Sequence, residues 1–257
     1  MSLERLPAIA TVSASAGWRC IDLISDLHLQ PSDPATFRAW QQYLQGTPAD
    51  AVFILGDLFE AWIGDDAANV PGFAADCAAV LGAAGRQRPL FFMHGNRDFL
   101  VGEALMQAVG ATLLDDPATL DFAGHRWLLT HGDALCLSDT EYQRFRAQVR
   151  SADWKKNFLE QPLAEREAVA RYLRGESEAR KQPEQDYADV DGAAADAWLD
   201  AADASVLIHG HTHRPAEHLL PSGRRRIVLS DWDAAANPPR AEALRLSAAG
   251  VQRVALA

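Results

Sequence analysis

Nothing in this chain of 257 residues approaches the roughly 18 to 20 consecutive apolar positions that a bilayer-spanning helix needs. Cysteine is scarce: Cys20, Cys77 and Cys136 are odd in number and far apart. That argues against a disulfide framework or a cysteine zinc cluster and points to reduced thiols in a reducing compartment. Positive charge is also short, since 24 Lys and Arg stand against 35 Asp and Glu, for a net charge of -11. No overall positive field steers phosphate backbones in, so nucleic acid is not an expected partner. Residues 1–17 have neither a basic n-region nor an apolar h-region and read as a loose N-terminal extension rather than a signal peptide. What is plentiful is apolar: 48% hydrophobic and 8% aromatic residues suit an ordinary globular core, and the length fits one large domain carrying an insertion.

The most distinctive stretch is Ile208-His209-Gly210-His211-Thr212-His213-Arg214-Pro215. It places three imidazoles in five residues directly after an apolar run, in a loop suited to aiming nitrogens at one point. Its meaning depends on whether other ligands arrive, because a lone copy is also compatible with a hydrogen-bonded surface loop.

Other ligands do arrive, each at the end of a predicted strand. Residues 18–24 lead into Ser25-Asp26-Leu27-His28, and the continuous apolar run 51–55 leads into Gly56-Asp57. Residues 90–93 run into His94-Gly95-Asn96-Arg97-Asp98, and 126–130 into His131-Gly132-Asp133. Further strands are expected at 206–208, 227–229, 241–246 and 251–256, with helices at 35–45 and 73–84. Taken singly, Asp26 reads as a helix cap and Asn96-Arg97-Asp98 as a turn. Taken together, five apolar runs stop at Asp26 and His28, Asp57, Asn96, His131, and His211 with His213. In α/β sheets ligands bind outside the carboxyl ends of strands, so these loops can share one edge.

Two Asp, one Asn and four His are too many donors for one tetrahedral zinc but fit two ions if a carboxylate bridges them. Mixed oxygen and nitrogen ligation without thiolate favours Mn²⁺ or Fe²⁺, with zinc as an alternative. A metal pair of this kind is the standard device for in-line displacement at phosphorus.

The pattern Asp26-Leu27-His28, Gly56-Asp57, Gly95-Asn96-Arg97-Asp98, His131 and Gly210-His211-Thr212-His213 resembles the calcineurin-like metallophosphoesterases. The resemblance implies an α/β fold, an αββα sandwich with a helical lid insertion. Its core would be 18–137 and 203–257, and its lid 138–202. One divalent ion would be held by Asp26, His28, Asp57 and His213. The other would be held by Asp57 as bridge with Asn96, His131 and His211. His209 falls outside the pattern and reads as structural. Many family members carry a histidine where this chain has Arg97. An arginine cannot donate a proton at neutral pH, but it can bind and neutralise phosphate, which suits a pyrophosphate leaving group.

That arginine, with residues 56–66 and His131-Gly132-Asp133-Ala134-Leu135-Cys136, is similar to the branch acting on UDP-2,3-diacylglucosamine in lipid A biosynthesis. Membership implies attack of a metal-activated water at the α-phosphorus, giving UMP and 2,3-diacylglucosamine 1-phosphate (lipid X). Asp57, Asn96 and Arg97 would be catalytic and the two ions Mn²⁺. Substrate contacts would come from Asn96, Arg97, Asp139, Tyr142, Phe145, Arg174, Ser177, Lys181 and His211.

Between His131 and His209 lie 77 residues, too many for a plain connection. Residues 138–181 carry ten Lys and Arg against eight Asp and Glu, a locally basic segment in an acidic chain. Tyr142, Phe145 and Val149 form one helical stripe, and a second helix is expected after Pro162. Such a lid either packs its apolar faces together or leaves an apolar chamber for acyl chains over the metals. Its basic and aromatic residues suit an anionic inner-membrane surface, giving a cytoplasmic monomer peripherally associated with the inner membrane. Two other readings differ in their tests. An esterase for soluble nucleotides or phosphomonoesters would prefer UDP-glucose or dinucleoside polyphosphates. A metal-containing binding module would show no turnover at all.

Overall fold

The computed structural model describes residues 9–180 and 188–256; of residues 174 and 176–180 it describes the backbone only. Twelve strands among these residues form two six-stranded sheets. The first sheet contains β1 (Ala10–Ser13), β6 (Ala118–Phe122), β7 (His125–Leu129), β8 (Val206–His209), β9 (Ala216–Leu219) and β10 (Arg225–Val228), in the order β1-β6-β7-β8-β10-β9. The second contains β2 (Cys20–Ile24), β3 (Ala51–Leu55), β4 (Leu90–Met93), β5 (Ala111–Leu114), β11 (Glu242–Ser247) and β12 (Gly250–Ala255), in the order β12-β11-β2-β3-β4-β5.

The apolar runs explain the layering. All five residues of β3 are buried, as expected of a strand covered on both faces. One face of the second sheet (Ile21, Leu23, Phe53, Leu55, Met93) meets one face of the first (Leu120, Trp127, Leu129, Ile208, Ile227) in a shared core. The other face of the second sheet is covered by α1 (Pro34–Gly46), α2 (Phe73–Gly85) and α3 (Glu103–Val109), through Trp40, Leu44, Cys77, Leu81, Leu105 and Met106. Asp33 starts α1 by accepting a hydrogen bond from Thr36 N at 3.1 Å, and proline follows it in the first turn. The other face of the first sheet is covered by α7 (Gly192–Ala202), whose Ala195 and Leu199 pack on Leu128 and Leu207. Four layers, αββα, result.

Three further helices, α4 (Thr140–Val149), α5 (Ala152–Leu159) and α6 (Leu163–Arg180), lie between β7 and α7. Trp154 and Phe158 of α5 and Val169 of α6 join the cluster that includes Trp62 and the flanking Ile63 and Phe99. The segment 138–202, expected to be lid throughout, therefore divides: α4–α6 form the added helical part, whereas α7 is the outer layer of the sandwich. Its small apolar residues pack on the sheet, which a lid reading of its position in the chain did not anticipate. The expected loose extension 1–17 likewise contains β1, which pairs in parallel with β6. Ala10-Thr11-Val12-Ser13 alternates apolar and polar residues, but four residues with small side chains are too short a pattern to announce a strand, and its partner supplies the order. No helix among the described residues is long and apolar enough to cross a membrane.

Candidate metal centre

The second sheet delivers Asp26 and His28 beyond β2, Asp57 beyond β3 and Asn96 beyond β4. The first delivers His131 beyond β7, and His211 and His213 beyond β8. Parallel neighbours within each sheet point their carboxyl ends the same way, and the two sets face each other across the sandwich. His28 Nε2 lies 3.2 Å from His213 Nε2, and His213 Nε2 lies 3.4 Å from Asp26 Oδ1. His131 Nε2 is 3.7 Å from Asp57 Oδ1 and 2.9 Å from Asn96 Oδ1, and the same amide oxygen is 2.8 Å from His211 Nδ1. Asp26, His28 and His213 thus present ligand atoms within 4.8 Å of one another, and so do Asp26, Asp57 and His131.

The loops reach this geometry at a backbone cost. Asp26, His28, Asp57, His211 and His213 all adopt positive φ, between 48° and 65°. Such conformations cost non-glycine residues about 1–3 kcal/mol each and cluster where function holds them. Two glycines permit the close approach. A Cβ at Gly95 would strike the Asp57 carboxylate and amide, and one at Gly210 would strike Asp26 and Ser25.

The surrounding hydrogen bonds orient the donors. His131 Nδ1 donates to Leu55 O at 2.9 Å, which leaves Nε2 as the nitrogen that faces the centre. Glu60 Oε2 stands 3.0 Å behind His28 Nδ1. Asp26 accepts from His211 N at 2.9 Å and from Ser25 Oγ at 2.5 Å, and Asp57 accepts from Arg97 N at 2.8 Å. Burial alone would depress His131, yet the carboxylates of Asp57, Asp26 and Asp133 outweigh it and raise its pKa to about 9. Burial also opposes ionisation of Asp26, and the hydrogen bond from His213 with the nearby imidazoles reverses that, holding it below the usual carboxylate range. The carboxylates thus favour positive charge at His131, while burial and that same imidazole lower His211 to about 4. Imidazole nitrogens, carboxylates and an amide oxygen converging without thiolate fit a hard-to-borderline divalent metal.

His209 behaves differently from its two neighbours. It is fully buried at the end of β8, its Nδ1 contacts Gly210 O at 2.8 Å, and burial lowers its pKa to about 3. It sits in the strand as a neutral packing residue.

The other nominated side chains scatter. Arg97 is half-buried beside the centre, with Nη1 3.6 Å from Glu60 Oε1. Tyr142 stacks its ring on His211 at 6.1 Å between centroids, and its hydroxyl donates to Asp133 Oδ2 at 2.6 Å. Asp139 is exposed and caps α4 by accepting from Tyr142 N at 3.0 Å. Phe145 is exposed, so only Tyr142 and Val149 of the expected stripe turn toward the protein. Arg174 and Ser177 lie on α6, but their side chains fall outside the described residues, as does Lys181. Cavities of about 320 and 270 Å³ are lined respectively by α1 with α2, and by residues around Arg126 and Arg224; neither is the acyl chamber expected over the metals.

Three carboxylates belong to the site's frame although residue types alone gave them no role. Glu60 backs His28. Asp98 is fully buried and accepts from Leu58 N and Gly95 N, both at 2.8 Å, tying the Asp57 loop to the Asn96 loop. Asp133 receives Tyr142, Arg146 and Arg150 from α4 and its C-cap. Each lies in the same stretch as a candidate ligand, and that adjacency is the signal the sequence offers.

A two-sheet sandwich with metal donors gathered from strand ends of both sheets defines a class, and the sequence agrees: the model of the calcineurin-like phosphoesterase family matches residues 21–215. The chain belongs to that family. Within it, the chain is 47% identical over 239 residues to the UDP-2,3-diacylglucosamine hydrolase of Bordetella pertussis, covering 90% of this chain and 92% of that one. It is 49% identical over 224 residues to the enzyme of the same name from Xanthomonas axonopodis pv. citri, covering 81% and 90%. With that of Xanthomonas oryzae pv. oryzae it shares 47% over 243 residues, covering 89% and 95%.

Proposed function

We propose that this protein hydrolyses the pyrophosphate bond of UDP-2,3-diacylglucosamine in lipid A biosynthesis, releasing UMP and 2,3-diacylglucosamine 1-phosphate. The observation that carries this reading is the convergence of imidazoles and carboxylates from both sheets beneath α4, in a chain nearly half identical to enzymes bearing that activity in their names. Two divalent ions, Mn²⁺ in this proposal, would be held by Asp26, His28, Asp57 and His213, and by Asp57, Asn96, His131 and His211. When bound they supply Lewis acidity, which lowers the pKa of water and neutralises phosphoryl oxygens.

The chain's own groups do the rest. Oxygen from water joins the α-phosphorus, and the bond from that phosphorus to the bridging oxygen breaks, so the sugar phosphate leaves with the bridging oxygen. Arg97 neutralises charge on the leaving phosphate without giving up a proton, and the low basicity of a phosphate leaving group makes a side-chain acid unnecessary. Asn96 orients phosphoryl oxygen from beside His131 and His211. The lid supplies apolar contact: Phe145, Leu159 and Tyr172 are all exposed, Tyr172 by 65%, as is Leu137 just before it. Exposed apolar side chains on a locally basic segment support binding of acyl chains and a peripheral position on the cytoplasmic face of an anionic inner membrane. The same reading has the protein working as a monomer.

UMP release from UDP-2,3-diacylglucosamine is expected with added Mn²⁺ and is expected to vanish with EDTA. Asp57→Ala is expected to abolish it, and undiminished turnover by that variant would overturn the assignment. Co-sedimentation with vesicles containing anionic phospholipid, absent with neutral vesicles, is the expected sign of the peripheral position.

A further inference from the structure

Asp133 is a fully buried carboxylate two residues beyond His131, and one of its oxygens gathers three groups from one segment of the lid. Oδ2 accepts from Tyr142 Oη at 2.6 Å, Arg146 Nε at 2.8 Å and Arg150 Nη2 at 3.2 Å. Its own carbonyl accepts from Gln143 Nε2 at 2.7 Å. Every turn of α4, and the cap that ends it, is thereby fastened to the loop that carries His131.

The same groups reach the other two ligand loops. Arg150 Nη2 also donates to Gly95 O at 2.9 Å, the carbonyl immediately before Asn96. Tyr142, oriented through its hydroxyl, lays its ring against His211. One buried carboxylate therefore joins the lid to loops following β7, β4 and β8. A polar cluster meant only to satisfy the core has no need to span a helix and three ligand loops. Satisfaction of Asp133 by a single arginine fork would suffice.

We infer that Asp133 is a positioning residue that sets the register of α4 over the candidate metal centre, acting through Arg146, Arg150 and Tyr142. The substrate class it selects is one that reaches both the reacting phosphorus and the lid, a nucleotide joined to an acylated sugar, and in this respect the inference rests on the proposed function. Groups that turn over at the metal loops alone do not depend on it.

The test uses the full chain in three forms, wild type, Asp133→Asn and Arg146→Ala. Arg146 contacts none of the candidate metal ligands, and in its absence Asp133 keeps Tyr142 and Arg150 as partners, so its variant loosens the lid side while the His131 loop retains two of its three lid contacts to Oδ2. Steady-state UMP release from UDP-2,3-diacylglucosamine is measured alongside calorimetric titration with Mn²⁺ alone. The expected result for Arg146→Ala is a fall in kcat/KM of about tenfold to a hundredfold, as for removal of an outer partner of a site, borne mainly by KM, with Mn²⁺ stoichiometry and affinity unchanged. Asp133→Asn is expected to show the same split. If Asp133→Asn does not fold, Arg146→Ala carries the test alone. Parallel loss of Mn²⁺ affinity and turnover in Arg146→Ala would overturn the inference, as would unchanged kcat/KM. Absence of UMP release by the wild type would instead refute the proposed function.

Discussion

Replacing Asp98 with alanine tests whether the ligand loops are held by their frame or by their own conformations. Asp98 has no solvent exposure, and its oxygens accept from Leu58 N at 2.8 Å, Gly95 N at 2.8 Å and, more weakly, Phe59 N at 3.4 Å. Burial, with repulsion from Asp57, pushes its carboxyl up to about 7, so the group is retained against an electrostatic cost. Alanine leaves two well-made buried donors without partners, each costing about 1–3 kcal/mol. The expected destabilisation is about 2–6 kcal/mol, a large fraction of the roughly 5–15 kcal/mol that keeps a domain folded. For a urea slope of about 3 kcal/mol/M, the midpoint falls by about 0.7–2 M. Unfolding is followed in EDTA, so that metal binding does not mask the difference. Asp98→Asn keeps one acceptor but turns an NH₂ toward a backbone donor, and an intermediate loss is expected. Because Gly95 precedes Asn96 and Leu58 follows Asp57, Mn²⁺ affinity at a permissive temperature should fall with stability. An unchanged midpoint would refute the hydrogen-bond reasoning. A lowered midpoint with full Mn²⁺ affinity would show that the strained loops hold their shape unaided.

Three other outcomes are expected. Mn²⁺ affinity should strengthen by about tenfold per pH unit below pH 9, because His131, raised to about 9, must lose a proton before its Nε2 binds metal; calorimetry in buffers of different ionisation enthalpy should show at least one proton released at pH 7, and no release would count against His131 as a ligand. Arg97→Ala should lower kcat by about a hundredfold with little change in Mn²⁺ affinity, as for loss of one group that stabilises developing charge; an unchanged kcat would remove Arg97 from the chemistry. Arg166, almost fully buried on α6, donates to Ile63 O at 2.5 Å and Gln161 O at 3.0 Å. Its partner Asp66 is half exposed but is held through both terminal guanidinium nitrogens, a bidentate geometry in which an ion pair does contribute, and Arg166→Ala should cost about 2 kcal/mol or more. Thermal unfolding indistinguishable from wild type would show that α6 is held otherwise.

The sequence by itself determined the chemistry at the strand ends. The continuous apolar run 51–55 reads as a covered strand, and Gly56 after it as a turn that leaves Asp57 at its end; glycine likewise precedes Asn96 and His211, whereas Asp26 and His131 are marked only by standing at the end of an apolar run. Local rules suffice there because an apolar run and the polar residue that ends it are encoded in adjacent residues. The family pattern set His209 apart from His211 and His213, and the structure agrees by ending β8 on it. Tertiary structure decided what had no local signature. β1, β5, β6 and β9 are short strands whose partners define them. The helix α7 became an outer layer because Ala195 and Leu199 found Leu128 and Leu207. Asp133, Asp98 and Glu60 acquired roles only when loops distant in sequence came within hydrogen-bond reach. A ligand can be read from its own residue type and spacing, whereas the groups that hold ligands in place are defined by their neighbours, and those neighbours exist only in the folded chain.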